Sequence, residues 1–514
     1  MAHPSKGRRS PALIALISAS ALALAGCASP GAAGPGGPSS SSGALTLTVG
    51  ATGEADLHDP IMDSSLTGYS IYYHLFDYLT RLDADGTPYG SLATDITSND
   101  DFTEWTFTIR TDTTFHNGDP VTIEDVAYSY ETVLASPESR NLGFIRSLEK
   151  VEVVDDETLR MTLSAPMSAW QNLTTTIPIV PEGVYSELGS EGFAAAPVGS
   201  GPYRFVRYTS GVEYVVEKFS DYHGPEPELD QITFQVVADE DARVNGVASG
   251  TLGLTQIPPN QAASLDGSTS AEVVTTPSAG VVYVGVAPKG ILADKLVRQA
   301  IWRAIDQEAL VEGVLGGGAT VNDQLTAPSV QGFVEGYEGP GYDPAAAKAL
   351  LQQAGYDGEP VPFQYATSGW ISLSNEVAQV IGQQLQDVGL NVQLEGLDPT
   401  SYSAATGQGN ADGLFLSQWA PSTMDADNSI TGLVGGGLVD YFQDPAAIDL
   451  VVKQRGVDGE ERLEVFREIA ELNADMVYKV PLYTQDTAYA VTTGIEWAPR
   501  ADGLYLLTDV TRAG

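Results

Sequence analysis

One cysteine, Cys27, stands in 514 residues. A lone thiol excludes an intramolecular disulfide, a cysteine-built zinc site and an iron–sulfur cluster. Histidine is scarce as well: His3, His58, His74, His116 and His223 are the whole set, and no two sit at zinc-ligand spacing. The chain contains neither His-Glu-x-x-His nor Gly-x-Ser-x-Gly, so two common signatures of hydrolytic chemistry are missing. Gly316-Gly317-Gly318 and Gly435-Gly436-Gly437 lack the Lys-Ser/Thr of a phosphate-binding loop, which argues against nucleotide binding. Basic residues number 25 against 67 acidic ones, a formal net charge of −42. Recognition of nucleic acid needs a basic face, and so acidic a surface disfavours it. Among so many carboxylates, acidic pairs are unavoidable and say nothing about catalysis. No metal and no cofactor is expected.

The first residues follow a different logic from the rest. Lys6, Arg8 and Arg9 precede an apolar stretch at 11–24. That stretch is short of the roughly 20 residues a membrane span needs. A charged start, a short apolar run and a small-residue exit describe a signal peptide over 1–26. Its exit, Leu24-Ala25-Gly26-Cys27, resembles a bacterial lipobox. The resemblance implies cleavage before Cys27 and attachment of lipid to its sulfur. Removing Lys6, Arg8 and Arg9 takes the charge from −42 to −45, so anionic lipid would repel the body and the lipid must hold it at the outer face of the cell membrane. Residues 27–44 carry the cysteine and a Gly/Pro/Ser tether, ASPGAAGPGGPSSSSG, whose composition cannot build a core. No later stretch resembles a transmembrane helix.

The remainder has the composition of a globular body. Length suggests roughly three structural units of about 150 residues, and 43% hydrophobic residues support substantial cores. Trp105, Phe107 and Ile109 alternate with polar residues, a strand with one buried face. Thr122 is placed to cap a helix carrying Val126, Tyr130, Val133 and Leu134, and 151–163 reads as a hairpin turning at Asp155-Asp156. The second half adopts an alternating helix–strand rhythm. Leu296, Val297, Ala300, Ile301, Ala304 and Ile305 recur at helical spacing. Asp343-Pro344 opens a helix that ends at Ala354-Gly355. Val377, Val380, Ile381, Leu385 and Val388 form another stripe, stopped by Gly389 before a strand at Leu390, Val392 and Leu394. A late helix carries Leu463, Phe466, Ile469 and Asn473, and an extended run begins at Val480. Mixed sheets covered by helices, an α/β fold, suit this pattern.

The segment 105–133, WTFTIRTDTTFHNGDPVTIEDVAYSYETV, resembles the signature of the family 5 extracellular solute-binding proteins. Those are the peptide-, dipeptide- and nickel-binding components of ABC importers. Arg110, Phe115, His116, Asn117, Gly118, Pro120, Glu124, Asp125 and Val126 match its order and spacing. Further similarity lies at Leu57-His58-Asp59-Pro60, Gly199-Ser200-Gly201-Pro202-Tyr203, Arg298-Gln299-Ala300, Tyr342-Asp343-Pro344 and Val480-Pro481-Leu482-Tyr483. The resemblance implies a two-lobed, periplasmic-binding-protein-like ("Venus flytrap") fold of the large type. Lobe one would hold 45–277 plus 487–514, with an extra subdomain at about 83–195, and lobe two would hold 278–486. Crossovers near Thr276 and Asp486 would be the hinge.

The resemblance also implies a binding protein, monomeric and not an enzyme, that captures a peptide or related small solute for a permease and its ATPase. A sensor or chaperone of the same fold without transport, and a surface hydrolase, are the alternatives. In peptide-binding relatives a strand ends in Gly-Trp, and an aspartate three residues later pairs with the peptide's α-ammonium. Here the tryptophan is Trp419 and the aspartate's place is taken by Ser422. Either Asp425 or Asp427 reaches back to supply the carboxylate, or the ligand has no free α-amine at that spot. Trp419 and Trp370 are candidates to flank the ligand, Tyr483 and Gln485 to border the cleft beside the second crossover, and Ser64, Ser65 and Thr67 to meet it from lobe one. His58 and His74 read as structural residues rather than nickel ligands, and the motif residues from Arg110 to Asp125 as turn and capping groups.

Overall fold

The computed structural model describes residues 44–513 except Asp266, Trp370, Gln408 and Leu438. The signal segment, Cys27, residues 28–43 of the tether and Trp370 therefore lie outside the described residues. Among the described residues, eleven strands share one sheet. From edge to edge its path runs Val392–Leu397, Val361–Ala366, Leu414–Trp419, Ala271–Val286, Lys479–Thr492, Leu254–Ile257, Thr46–Ala51, Gln231–Val236, Glu213–Lys218 and Tyr203–Thr209. Ala319–Val321 pairs off this path with Lys479–Thr492. The two long central strands, Ala271–Val286 and Lys479–Thr492, are antiparallel and belong to both halves of the sheet.

Alternation along these strands builds two layers in the second half. Val282, Val284 and Val286 face one core with Leu414 and Leu416. Tyr283 and Phe415, one residue out of phase, face the other, as the period of two requires. Helices Lys295–Ala304, Pro344–Gln353 and Ser374–Asp387 cover the first core through Val297, Ile301, Leu351, Val377, Ile381 and Leu385. Helices Ala426–Val434, Pro445–Gln454 and Gly459–Met476 cover the second through Ile430, Leu433, Val451, Phe466 and Ile469. In the last helix Leu463 stays 41% exposed, because the buried stripe runs through Val465, Phe466, Ile469 and Asn473 and Leu463 falls off its edge. Leu394 is 39% exposed on the strand that ends the sheet.

The first half has its own core, which continues into a separate antiparallel sheet of Ala93–Ser98, Glu104–Ile109, Thr158–Leu163 and Leu148–Val153. Trp105, Phe107 and Ile109 are buried there, each side chain contributing roughly 1.5–3 kcal/mol by leaving water. The adjoining helix Ile123–Ala135 starts with a capping box: Thr122 accepts from the Asp125 N–H, and Asp125 accepts from the Thr122 N–H at 2.9 Å. His116 bridges two turns, accepting from the Gly199 N–H at 3.2 Å on Nδ1 and donating to the Gly201 carbonyl at 3.0 Å from Nε2. The Gly199–Gly201 turn needs its glycines, since a Cβ at Gly199 would lie 1.9 Å from the Leu75 carbonyl oxygen.

The two long strands lose register together. Pairing is regular up to Pro277 opposite Asp486, resumes at Val281 opposite Thr484, and skips again between Val282 and Tyr283. The second irregularity leaves Leu482 as the extra residue of a bulge, which turns a strand locally and shifts which side chains point inward. Both Leu482 and Tyr483 consequently enter the same core.

Candidate ligand cleft

Parallel strands deliver their carboxyl ends to one side of a sheet, and the loops that follow are where ligands bind in folds of this kind. Here Val361–Ala366 runs into the loop 367–373 and Leu414–Trp419 into 420–425. In the first half, Thr46–Ala51 leads to 52–65, Leu254–Ile257 to Pro258-Pro259, and Gln231–Val236 to the helix Glu240–Ala248. These loops meet at two cavities beside the crossover strands, and each cavity is lined by residues of both halves.

The larger encloses about 720 Å³. Glu240, Pro258 and Pro259 come from the first half, Ser368, Leu373 and Glu376 from the second, and Gln485 and Asp486 from the crossover. The Gln485 amide oxygen accepts from the Ser372 N–H at 3.4 Å, tying the 367–373 loop to that strand. Leu373 caps the following helix with φ 54° and ψ 32°, a left-handed conformation that is uncommon outside glycine. Asp486 donates its backbone N–H to the Gly318 carbonyl at 3.0 Å, while its carboxylate has no partner among the described residues. Burial pushes the Asp486 carboxyl above the usual carboxylate range.

The smaller cavity encloses about 220 Å³ and joins Ser64, Leu66, Tyr69 and Tyr73 to Ala420, Pro421 and Ser422. The two tyrosine hydroxyls are already engaged, Tyr69 with the Asn141 Oδ1 at 3.0 Å and Tyr73 with the Thr175 carbonyl at 2.7 Å. Asp502 on its rim is held by Arg500 at 2.6 Å. The two halves also touch directly around it. Asn172 Nδ2 donates to the Thr423 carbonyl at 3.0 Å, Gln331 Nε2 to the Gly86 carbonyl at 3.2 Å, and the Ser168 N–H to the Arg455 carbonyl at 2.9 Å.

Of the residues expected at the site, Ser422 and Gln485 line cavities and Ser64 does so from the other half. Ser65 does not: it is the N-cap of helix Leu66–Leu75, accepting from the Gly68 N–H and donating to Asp63. Thr67, half-buried in the first turn of that helix, is likewise absent from the lining. Trp419 lies against helix Ala426–Val434, its indole N–H donating to Asn428 at 3.0 Å and its ring over Gly432. Tyr483 is fully buried in the core, turned inward by the bulge at Leu482.

Asp425 and Asp427 are spoken for. Asp425 is 1% exposed, caps helix Ala426–Val434 through the Asp427 N–H, and forms two hydrogen bonds of 2.7 Å with Arg462. Asp427 accepts from Arg455 at 2.6 and 3.2 Å and from the Gln454 amide. Neither carboxylate reaches back to Ser422. Sequence reasoning missed Tyr69, Tyr73, Glu240 and Glu376, and it read Asp486 only as a hinge position. The turn prolines after Leu254–Ile257 and the break after Val361–Ala366 were the signals that could have marked the larger cavity.

A two-lobed α/β body with a cleft at its strand ends is a solute-trapping receptor. The chain belongs to the bacterial extracellular solute-binding proteins, family 5, whose model matches residues 87–439. It is 30% identical over 386 residues to the glutathione-binding protein GsiB of Pectobacterium atrosepticum, covering 72% of this chain and 73% of the relative. Its fold is similar to that of the ABC transporter substrate-binding protein CtaP of Listeria monocytogenes, with a TM-score of 0.82, 22% identity, and 91% of this chain and 99% of that one covered. It is also similar to the oligopeptide-binding protein AppA of Bacillus subtilis, solved with a nonapeptide, with a TM-score of 0.74, 21% identity, and 91% and 99% covered. The protein is thus an extracellular solute-binding protein. No helix among the described residues is long and apolar enough to cross a membrane.

Proposed function

We propose that this protein captures a peptide or related small solute in the cleft between its lobes and hands it to a permease and its ATPase, performing no chemistry of its own. The observation that carries this reading is the pair of cavities, each lined from both halves of the molecule at the strand ends. A ligand there is gripped from two sides, so binding and lobe closure are one event. The ligands named for its relatives, glutathione and a nonapeptide, support the peptide class. Lobe one comprises 45–277 and 487–514 with the added subdomain at 83–195, and lobe two 278–486. The paired loss of register at Pro277 and Asp486 supports a hinge at those crossovers.

The protein is a monomer, held at the outer membrane face by lipid on Cys27. Replacing Cys27 with Ser moves it to the medium or leaves an uncleaved precursor; unchanged lipidation refutes the anchor. Native mass spectrometry of the purified protein after exposure to a peptide mixture tests the ligand class. Bound masses spaced by amino-acid residues are expected, and a single non-peptide mass would redefine the ligand. With Asp425 and Asp427 engaged by arginines, an α-ammonium finds no free carboxylate beside Ser422 among the described residues. The ligand's end at that spot meets hydroxyl, aromatic and apolar groups instead.

A further inference from the structure

The charge of the cleft is one-sided. Among the described residues lining the two cavities there is no lysine, arginine or histidine, whereas the larger cavity presents Glu240, Glu376 and Asp486. An anionic solute entering it would meet three carboxylates and no counter-charge. Two of the three have a simple structural explanation, since Glu240 and Glu376 occupy first turns of helices, where negative charge complements the helix dipole. Asp486 has none. It sits on a strand at the crossover, half-buried, with neither hydrogen bond nor ion pair to its carboxylate among the described residues.

Buried carboxylates elsewhere have partners: Arg462 pairs Asp425, Arg455 pairs Asp427, Arg500 pairs Asp502, and Asp59 and Asp63 accept from the hydroxyls of Tyr185 and Tyr72. A partly buried charge without a partner costs stability, so an unpaired one lining a cavity between the two halves is a natural place for a ligand to supply the missing partner.

We propose that the solute retained by this cleft carries a positive group, an ammonium or a guanidinium, and that Asp486 is its counter-charge, the specificity-determining residue between the lobes. The inference rests on reading the cleft as the ligand site. Closure would dry the pair and strengthen it, while the net charge of −42 draws cations toward the opening. The cationic group therefore docks at the crossover end of the cleft, away from Ser422.

The test is titration calorimetry on the purified protein with three N-acetylated tripeptides, Ac-Ala-Lys-Ala, Ac-Ala-Ala-Ala and Ac-Ala-Glu-Ala, so that the lysine ammonium is the only positive group in the set. The lysine peptide is expected to bind about tenfold or more tighter than the other two, the scale of one charge-assisted hydrogen bond. That preference should weaken with added salt. Asp486→Asn, with its melting temperature measured alongside, should erase the preference, and Asp486→Glu should keep part of it. Equal affinity for all three probes, or preference for the acidic one, overturns this inference while leaving solute capture intact. Absence of binding by every probe overturns the peptide reading of the cleft and this inference with it.

Discussion

Two sets of carboxylates lie within one stretch of this chain and meet opposite fates. Asp425 and Asp427 are buried behind the cleft loop and clamped by Arg462, Arg455 and Gln454. Asp486, on the crossover strand, faces a cavity of about 720 Å³ with its carboxylate unpaired. The first two satisfy every requirement that burial places on a charge and have nothing left to offer a ligand. The third satisfies none and remains available. Proximity in sequence to the tryptophan motif pointed at a pair that arginines already hold, because availability depends on which partner the fold brings to each oxygen.

The largest effect should come from breaking the clamp. Arg462→Met leaves Asp425, 1% exposed, as a buried charge without its partner, and is expected to cost about 3–5 kcal/mol in denaturant unfolding. Adding Asp425→Asn should restore much of that loss; a double variant no better than the single would show that Arg462 acts through its stacking over the Phe466 ring at 4.9 Å instead.

Acid should act next, on a group that folding keeps uncharged. His74 is fully buried, hydrogen-bonded from Nδ1 to the Ser70 carbonyl at 2.7 Å, and accepts the Leu507 N–H at 3.0 Å on Nε2. Because Nε2 faces a donor, the ring has no room for a second proton. Burial accordingly pushes its pKa from 6.5 down to about 4. The unfolded chain takes up that proton first as pH falls. Stability from this residue is therefore complete above pH 6.5 and is lost progressively toward pH 4, by about 3 kcal/mol. His116, also lowered to about 4, adds in the same direction. Unfolding midpoints of the parent and His74→Gln across that window check this: the variant's profile should be flatter.

A smaller change tests where Trp419 sits. A Cβ at Gly432 would lie 2.4 Å from the indole, so Gly432→Ala should cost about 1–3 kcal/mol by overpacking. Trp419→Phe in the same chain should relieve it. An unaltered melting temperature in Gly432→Ala would mean that the ring is free to swing into the cleft. Smallest of all, Asp486→Asn should leave stability within about 1 kcal/mol or raise it slightly, since it removes an unpaired, partly buried charge. A marked loss of stability would reveal a structural partner for Asp486 and erase the contrast with Asp425.

Much of the fold was legible because its signals are local. The buried face of Trp105, Phe107 and Ile109, the Thr122 cap, the Asp343-Pro344 start and the Gly389 stop all act within a few residues, where periodicity and capping chemistry operate. The candidate site was legible only in part. Ser422 and Gln485 reach the cavities, whereas Tyr483 was misplaced by one extra strand residue at Leu482, which no pattern of alternation announces. Ser65 was diverted to capping Leu66–Leu75, a use as consistent with serine as ligand contact. Trp419 found a glycine on the neighbouring helix to lie against.

By itself the sequence determined the helices and strands, the α/β class and the family, since each rests on patterns of short range or on motifs in fixed order. Only the tertiary structure decided which charges are spent and which are free. Asp425 meets Arg462 37 residues away, and Asp427 meets Arg455 28 residues away. The Asp486 carboxylate meets no partner among the described residues. Those outcomes depend on how separate helices and strands pack, and chain order carries no record of that.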